Sequence, residues 1–150
     1  MAQSLAQIFV HIIFSTKGRY PFLTPEVRPE LHAYTATVLK TAESPAVIIN
    51  SAADHVHILC ALSKNSSAAD LVQEVKTSTS KWIKTQGRDL QKFQWQAGYG
   101  IFSVSPSQVA AVSRYIEDQE RHHRRMTFED ELRSVLVKCG VKYDERYVFD

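Results

Sequence analysis

The chain has 150 residues, 44% of them hydrophobic and 23% charged, with a net charge of +2. That size and composition suit one domain, 1–150, with a real hydrophobic core, and the charge is too mild for a protein that coats nucleic acid without selectivity. No apolar run reaches the roughly 18–20 residues that cross a bilayer, and "MAQSLAQIFVHIIFS" has no basic stretch before its apolar part, so neither a membrane span nor a signal peptide is expected.

In chain order, "QIFVHIIFS" (7–15) is short, β-branched and aromatic, and predicts a buried strand. "TKGRYPFLTP" is a loop, after which Thr24 caps a helix with Pro25 in its first turn. Leu31, Tyr34, Val38 and Leu39 carry that helix at helical spacing. "SPAVIINSAADHVHILCAL" predicts two strands joined by a short turn near 51–54. Ser66 or Ser67 caps a second helix whose apolar stripe runs Leu71, Val72, Val75, Thr79, Trp82, Ile83. Lys76, Ser80 and Lys84 share a separate face of it. "FQWQAGYGIFSVS" (93–105) reads as a strand or bent strand pair. Ser105 before Pro106 opens a third helix that runs through "RHH". Thr127 and Asp130 resemble a capping box for a fourth, which Gly140 ends. The two cysteines, Cys60 and Cys139, read as small buried hydrophobes in a reducing compartment, so the expected location is cytoplasmic.

The order β-α-β-β-α-β-α-α matches the ferredoxin-like (RRM-like) α+β pattern: an antiparallel sheet with helices on one face, followed by C-terminal helices. The other sheet face must meet solvent, a ligand or another subunit.

The residues with chemistry stand out against this frame. In "ADHVHILC" (53–60), strand alternation puts His55 and His57 on one face and Val56 and Ile58 on the other. Two neutral imidazoles side by side can chelate a divalent metal; the plainer reading is a polar strand face. On the third helix, Tyr115 and Gln119 are i, i+4 neighbours, and His122 follows on the same side. A phenol can be a covalent nucleophile, and a glutamine carbonyl is a hard metal ligand. Two imidazoles, one amide oxygen and one phenol suit phosphoryl transfer at a metal. Tyrosine attack on a phosphodiester conserves bond energy in the new ester, so rejoining needs no ATP, and the chain carries no GxxxxGK[ST] nucleotide loop. Local basic stretches accompany this set. Residues 76–92 hold Lys76, Lys81, Lys84, Arg88 and Lys92 against Asp89 alone, and 121–125 read "RHHRR". Such patches suit a confined polyanion site or a solvated helix face.

"DHVHIL" (54–59) resembles the His-hydrophobic-His (HUH) endonuclease signature. "WQAGYGIFSVS" (95–105) and "VSRYIEDQERHHR" (112–124) resemble the matching blocks of the small single-tyrosine insertion-sequence transposases of the TnpA type, relatives of the REP-associated tyrosine transposases. "STKGRYP" (15–21), "LVQEVKTSTSKWI" and "YDERYVFD" fit as well, so the resemblance spans nearly the whole chain. It implies that His55, His57 and Gln119 hold Mg2+ or Mn2+. It implies that Tyr115 forms a 5′-phosphotyrosine link with single-stranded DNA. It further implies hairpin recognition at element ends and a homodimer in which one subunit's tyrosine helix completes the other's site. Lys17, Arg19, Lys76 and Lys84 are then candidates for the DNA backbone, with His122 at a phosphate or the surface, and Tyr20, Phe22 or Trp95 for base stacking or core packing. Asp54 either orients a histidine or makes the turn before the strand. A bacterial or archaeal DNA strand transferase is the expected function; the alternative is a non-catalytic regulator that binds single-stranded DNA or RNA hairpins.

Overall fold

The computed structural model describes residues 2–150. Its elements are β1 (Phe9–Ser15), α1 (Arg28–Thr41), β2 (Ala46–Ser51), β3 (His55–Ala61), α2 (Ala68–Ile83), β4 (Gly100–Val104), α3 (Val109–Glu117), α4 (Gln119–Arg125) and α5 (Phe128–Lys138). The strands form one antiparallel sheet in the order β2-β3-β1-β4. With α1 and α2 linking β1 to β2 and β3 to β4, this is the expected ferredoxin-like arrangement.

Alternation divides the strand residues between two layers. Val10, Ile12, Phe14, Val56, Ile58 and Cys60 face α1 and α2, where Leu31, Leu39, Leu71, Val72, Val75 and Ile83 complete the main core. The opposite face carries His11, Ile13 and Ser15 of β1, set beside Leu59, His57 and His55 of β3. Here a second cluster forms: Ile13 and Phe102 pack with Phe128, Leu132 and Leu136 of α5. The face left open to solvent, ligand or another subunit is therefore covered by the chain's own C-terminal helices. A sheet with apolar residues on both faces must bury both.

Several boundaries differ from expectation. Thr24 and Pro25 lie in a turn, and α1 starts three residues later with Pro29 in its first turn. The expected third helix is interrupted at Asp118, whose φ of −94° and ψ of 20° separate α3 from α4. Residues 93–99 form no strand beyond the isolated bridge between Thr16 and Trp95. Lys76 Nζ reaches this segment and donates to the carbonyls of Gln96 (2.7 Å), Ala97 (3.3 Å) and Gly98 (2.5 Å), which diverts them from any ladder. Cys139 is exposed, unlike Cys60, because α5 ends there, with Gly140 at a φ of +68°. Ser67 and Thr127 cap as expected, accepting from the backbone N–H of Asp70 and Asp130.

Candidate active site

His55 and His57 lie on the inner strand β3, under α3, α4 and α5, and both are almost fully buried. Burying imidazoles without partners is costly, and here each ring nitrogen has one. His55 Nδ1 donates to Asp54 Oδ1 at 2.7 Å, so Asp54 orients the ring as well as making the turn. His55 Nε2 faces Gln119 Oε1 and Glu131 Oε1, both at 3.1 Å. His57 Nε2 donates to Glu131 Oε1 at 2.9 Å, and its Nδ1 lies 2.8 Å from His11 Nε2.

Charge is distributed unevenly over the three rings. Burial alone would lower His55, but the Asp54 and Glu131 carboxylates raise it to about 9. Burial dominates at the other two: His57 is lowered, and His11 falls to about 3. His57 is thus neutral, donating to Glu131 through Nε2 and accepting from His11 through Nδ1. Burial would raise Glu131 too, yet hydrogen bonds from His55, His57 and Tyr115 hold it well below the usual carboxylate range.

Tyr115 reaches the same carboxylate, its Oη donating to Glu131 Oε2 at 2.5 Å. Burial first, and then Glu131, push the phenol above its ordinary value, so it rests protonated. His122 stacks on the ring at 4.5 Å between centroids, as i, i+7 spacing suggests. The α3 end is tied to β2 by Asn50, whose Nδ2 donates to the carbonyls of Ile116 (2.8 Å) and Glu117 (3.1 Å). One chain thereby brings its own Tyr115 to its own His55 and His57.

The donor set fits a divalent ion. His55 Nε2, His57 Nε2 and Glu131 Oε1 lie within 4.8 Å of one another, and Gln119 Oε1 adjoins His55 Nε2. Neighbouring ligands of a six-coordinate ion with bonds near 2.1 Å stand roughly 3 Å apart, and the Glu131 and Gln119 oxygens lie 2.9–3.1 Å from the imidazole nitrogens they face.

The basic candidates occupy different surroundings. Lys17, Arg19, Lys76 and Ser80 line an open pocket of about 670 Å³ with Trp95 and Phe149. Lys17 is exposed at its rim. Arg19 has a left-handed φ of +58°, and its Nη1 donates to the Phe149 carbonyl at 2.5 Å. Lys76 is turned inward to the 96–98 carbonyls, and Lys84 is exposed. Trp95 packs against Phe14 and Phe93 and donates to Thr79 Oγ1 at 2.9 Å, a core role; Tyr20 is exposed. A second hollow, of about 390 Å³, is lined by Arg19, Asp54, His123, Arg124, Arg125 and Glu129, directly beside His55's partner carboxylate, and Glu129 Oε1 lies 3.8 Å from Arg19 Nε.

Sequence reasoning missed His11, Asn50 and Glu131. His11 breaks an apolar strand at the parity of Ile13 and Ser15, the same signal that singled out His55 and His57. Glu131 sits on the apolar stripe of α5, between Phe128 and Leu132, where an acid is out of place.

Comparison with known proteins bears on the family and the fold. The family profile described as "Transposase IS200 like" matches residues 4–119. The ISDra2 transposase TnpA of Deinococcus radiodurans is 24% identical over 118 residues, covering 75% of this chain and 84% of that protein. A crystal structure of a candidate transposase from Deinococcus radiodurans R1 superposes with a TM-score of 0.62 at 21% identity, over 80% of this chain and 96% of that one. A REP-associated tyrosine transposase bound to a REP hairpin gives a TM-score of 0.59 at 12% identity, over 82% of this chain and 74% of that one.

Proposed function

The chain belongs to the IS200-like transposase family, and on that premise we propose that it cuts and rejoins single-stranded DNA through a tyrosine ester on Tyr115. One observation carries this reading: side chains from β3, α3 and α4 converge on the α5 carboxylate of Glu131, so that two imidazoles, a phenol and an amide surround it.

Tyr115 Oη attacks the phosphorus of a bound phosphodiester. The bond from phosphorus to the 3′ oxygen breaks, and a 5′-phosphotyrosine ester forms. The phenolic proton, on Tyr115 Oη and hydrogen-bonded to Glu131 Oε2 at the outset, ends on the released 3′ oxygen. In the reverse step a 3′ hydroxyl attacks the ester, restores the phosphodiester and returns the proton to Tyr115. His55, His57 and Gln119 would hold a Mg2+ or Mn2+ ion, which would supply positive charge beside the phosphoryl group as negative charge develops. Asp54 and His11 fix the two rings from behind. His122, stacked on Tyr115, limits the directions from which the phenol can approach.

The hollow beside His55 gathers Arg19, His123, Arg124 and Arg125 around the Asp54 and Glu129 carboxylates, and its arginines are the groups there that would meet a DNA backbone. The REP hairpin bound by a structural neighbour supports a hairpin as the recognised feature. A homodimer that exchanges its tyrosine helices is part of the same proposal, with Asn50 as the contact that would be remade. Labelled hairpin oligonucleotides incubated with Mn2+ test the chemistry: a covalent protein–DNA adduct on denaturing gels is expected, and binding without cleavage in several metals would favour a regulator instead. Mixing His57→Ala with Tyr115→Phe protein tests helix exchange, since only composite sites regain activity.

A further inference from the structure

Glu131 belongs to none of the motifs that point to this family, and it lies beyond the matched stretch, 4–119. It is nonetheless among the most buried charged groups in the protein, 3% exposed. Its neighbours on α5, Phe128, Leu132 and Leu136, are apolar and packed against Ile13 and Phe102. Helix packing alone does not call for an acid there, and a buried carboxylate is costly unless it is paired.

The two oxygens of Glu131 face different groups. Oε1 lies 2.9 Å from His57 Nε2 and 3.1 Å from His55 Nε2. Oε2 takes the Tyr115 hydroxyl at 2.5 Å and faces Gln119 Nε2 at 3.5 Å. Ligand chemistry gives the first oxygen a task. Two imidazoles and an amide form a neutral donor set, and imidazole suits softer ions better than Mg2+ or Mn2+. Hard cations are held by carboxylates. Two histidines and one carboxylate on one side of an ion also leave the remaining positions open for substrate oxygens.

We propose that Glu131 is a metal ligand of this site through Oε1, beside His55, His57 and Gln119, while its Oε2 holds Tyr115. One side chain then links the metal to the nucleophile. The inference rests on reading the histidine pair as metal-binding, and it adds an anionic ligand that the HUH motif lacks.

Calorimetric titration of the full chain with Mn2+ tests it without recourse to activity. Wild type is expected to bind one ion, and His57→Ala to lose it. Glu131→Met, which fills the space without a hard donor, is expected to lose more than about 100-fold in affinity, beyond the 10–100-fold that outer hydrogen-bond partners cost. A loss below 100-fold in Glu131→Met, with His57→Ala still abolishing binding, overturns the proposal and leaves the transferase reading standing. Wild type that binds no Mn2+, or His57→Ala that binds it normally, removes the reading itself. If Glu131→Met does not fold, Glu131→Asp loaded with Co2+ decides the matter. Visible absorption bands altered from wild type support ligation by this carboxylate, and unaltered bands overturn it.

Discussion

Tyr115 Oη and Glu131 Oε2 are 2.5 Å apart within a single chain. The Tyr115 phenol therefore rests against a carboxylate, protonated, instead of pointing into solvent. Tyr115→Phe removes the attacking oxygen and one donor to a buried anion. Losing a hydrogen bond to a charged group costs about 2 kcal/mol, or roughly 4–8 °C in Tm for a chain of this size. The expected outcome is a folded, slightly less stable protein that binds hairpin DNA and forms no adduct on denaturing gels. A persistent adduct would remove Tyr115 as nucleophile.

His55 predicts a pH dependence of stability in metal-free protein. Its value rises from 6.5 to about 9: burial opposes the shift, and the Asp54 and Glu131 carboxylates outweigh it. The folded state favours the protonated ring, so the contribution is fully present below pH 6.5 and is lost as pH climbs through about 9. His11 and His32, lowered to about 3 and about 4 mainly by burial, act below pH 6.5 with the opposite sign. Lys76, lowered to about 8 by burial, regains stability only above that pH. Between pH 6.5 and 8, His55 is left to act alone among these groups, and the fold should lose about 1–2 kcal/mol. Urea unfolding in a chelator measures it. His55→Gln should flatten the slope over that window, and an equal slope in the variant would refute the assignment.

Strand and helix periodicity carried much of the site. Alternation set His55 beside His57, and the i, i+4 and i, i+7 spacings set Gln119 and His122 about Tyr115, even though the helix breaks at Asp118. What periodicity lacks is the path of the chain between elements. Nothing in "MTFEDELRSVL" says that α5 lies back across the sheet, so Glu131 is passed over at the level of sequence. The inward turn of Lys76 was hidden for a related reason. Its helical face was read correctly, but a long flexible stem takes its charge wherever acceptors pass, and the 96–98 loop passes there. Trp95 was open between core and base stacking; Phe14, Phe93 and the Thr79 hydroxyl give it core partners.

Asn50 holds α3 at its C-terminal end. Its amide donates to the carbonyls of Ile116 and Glu117 in the last turn of the helix, where carbonyls lack their ordinary i+4 donors. Asn50→Ala should cost about 1–2 kcal/mol and loosen α3 before the sheet. Amide hydrogen exchange over 109–117 is expected to quicken about tenfold while β1 and β3 keep their protection. Uniform acceleration across the sheet would show global destabilisation instead.

Lys76 and Lys84 lie two turns apart on α2 and should respond differently to substitution. Lys76 donates to three carbonyls and sits 5.1 Å from the Phe14 ring centre and 5.6 Å from that of Tyr99. Lys76→Met leaves those carbonyls without their donor and should lower stability by about 2 kcal/mol, read as an earlier urea midpoint. Lys84 is exposed, so Lys84→Ala should leave the midpoint within about 0.5 kcal/mol. If Lys84 meets a phosphate, its loss should reduce the slope of log K against log salt for single-stranded DNA by about 0.7. An unchanged slope removes Lys84 from the DNA path, and an unchanged midpoint in Lys76→Met shows that the 96–98 loop holds its shape without the clamp.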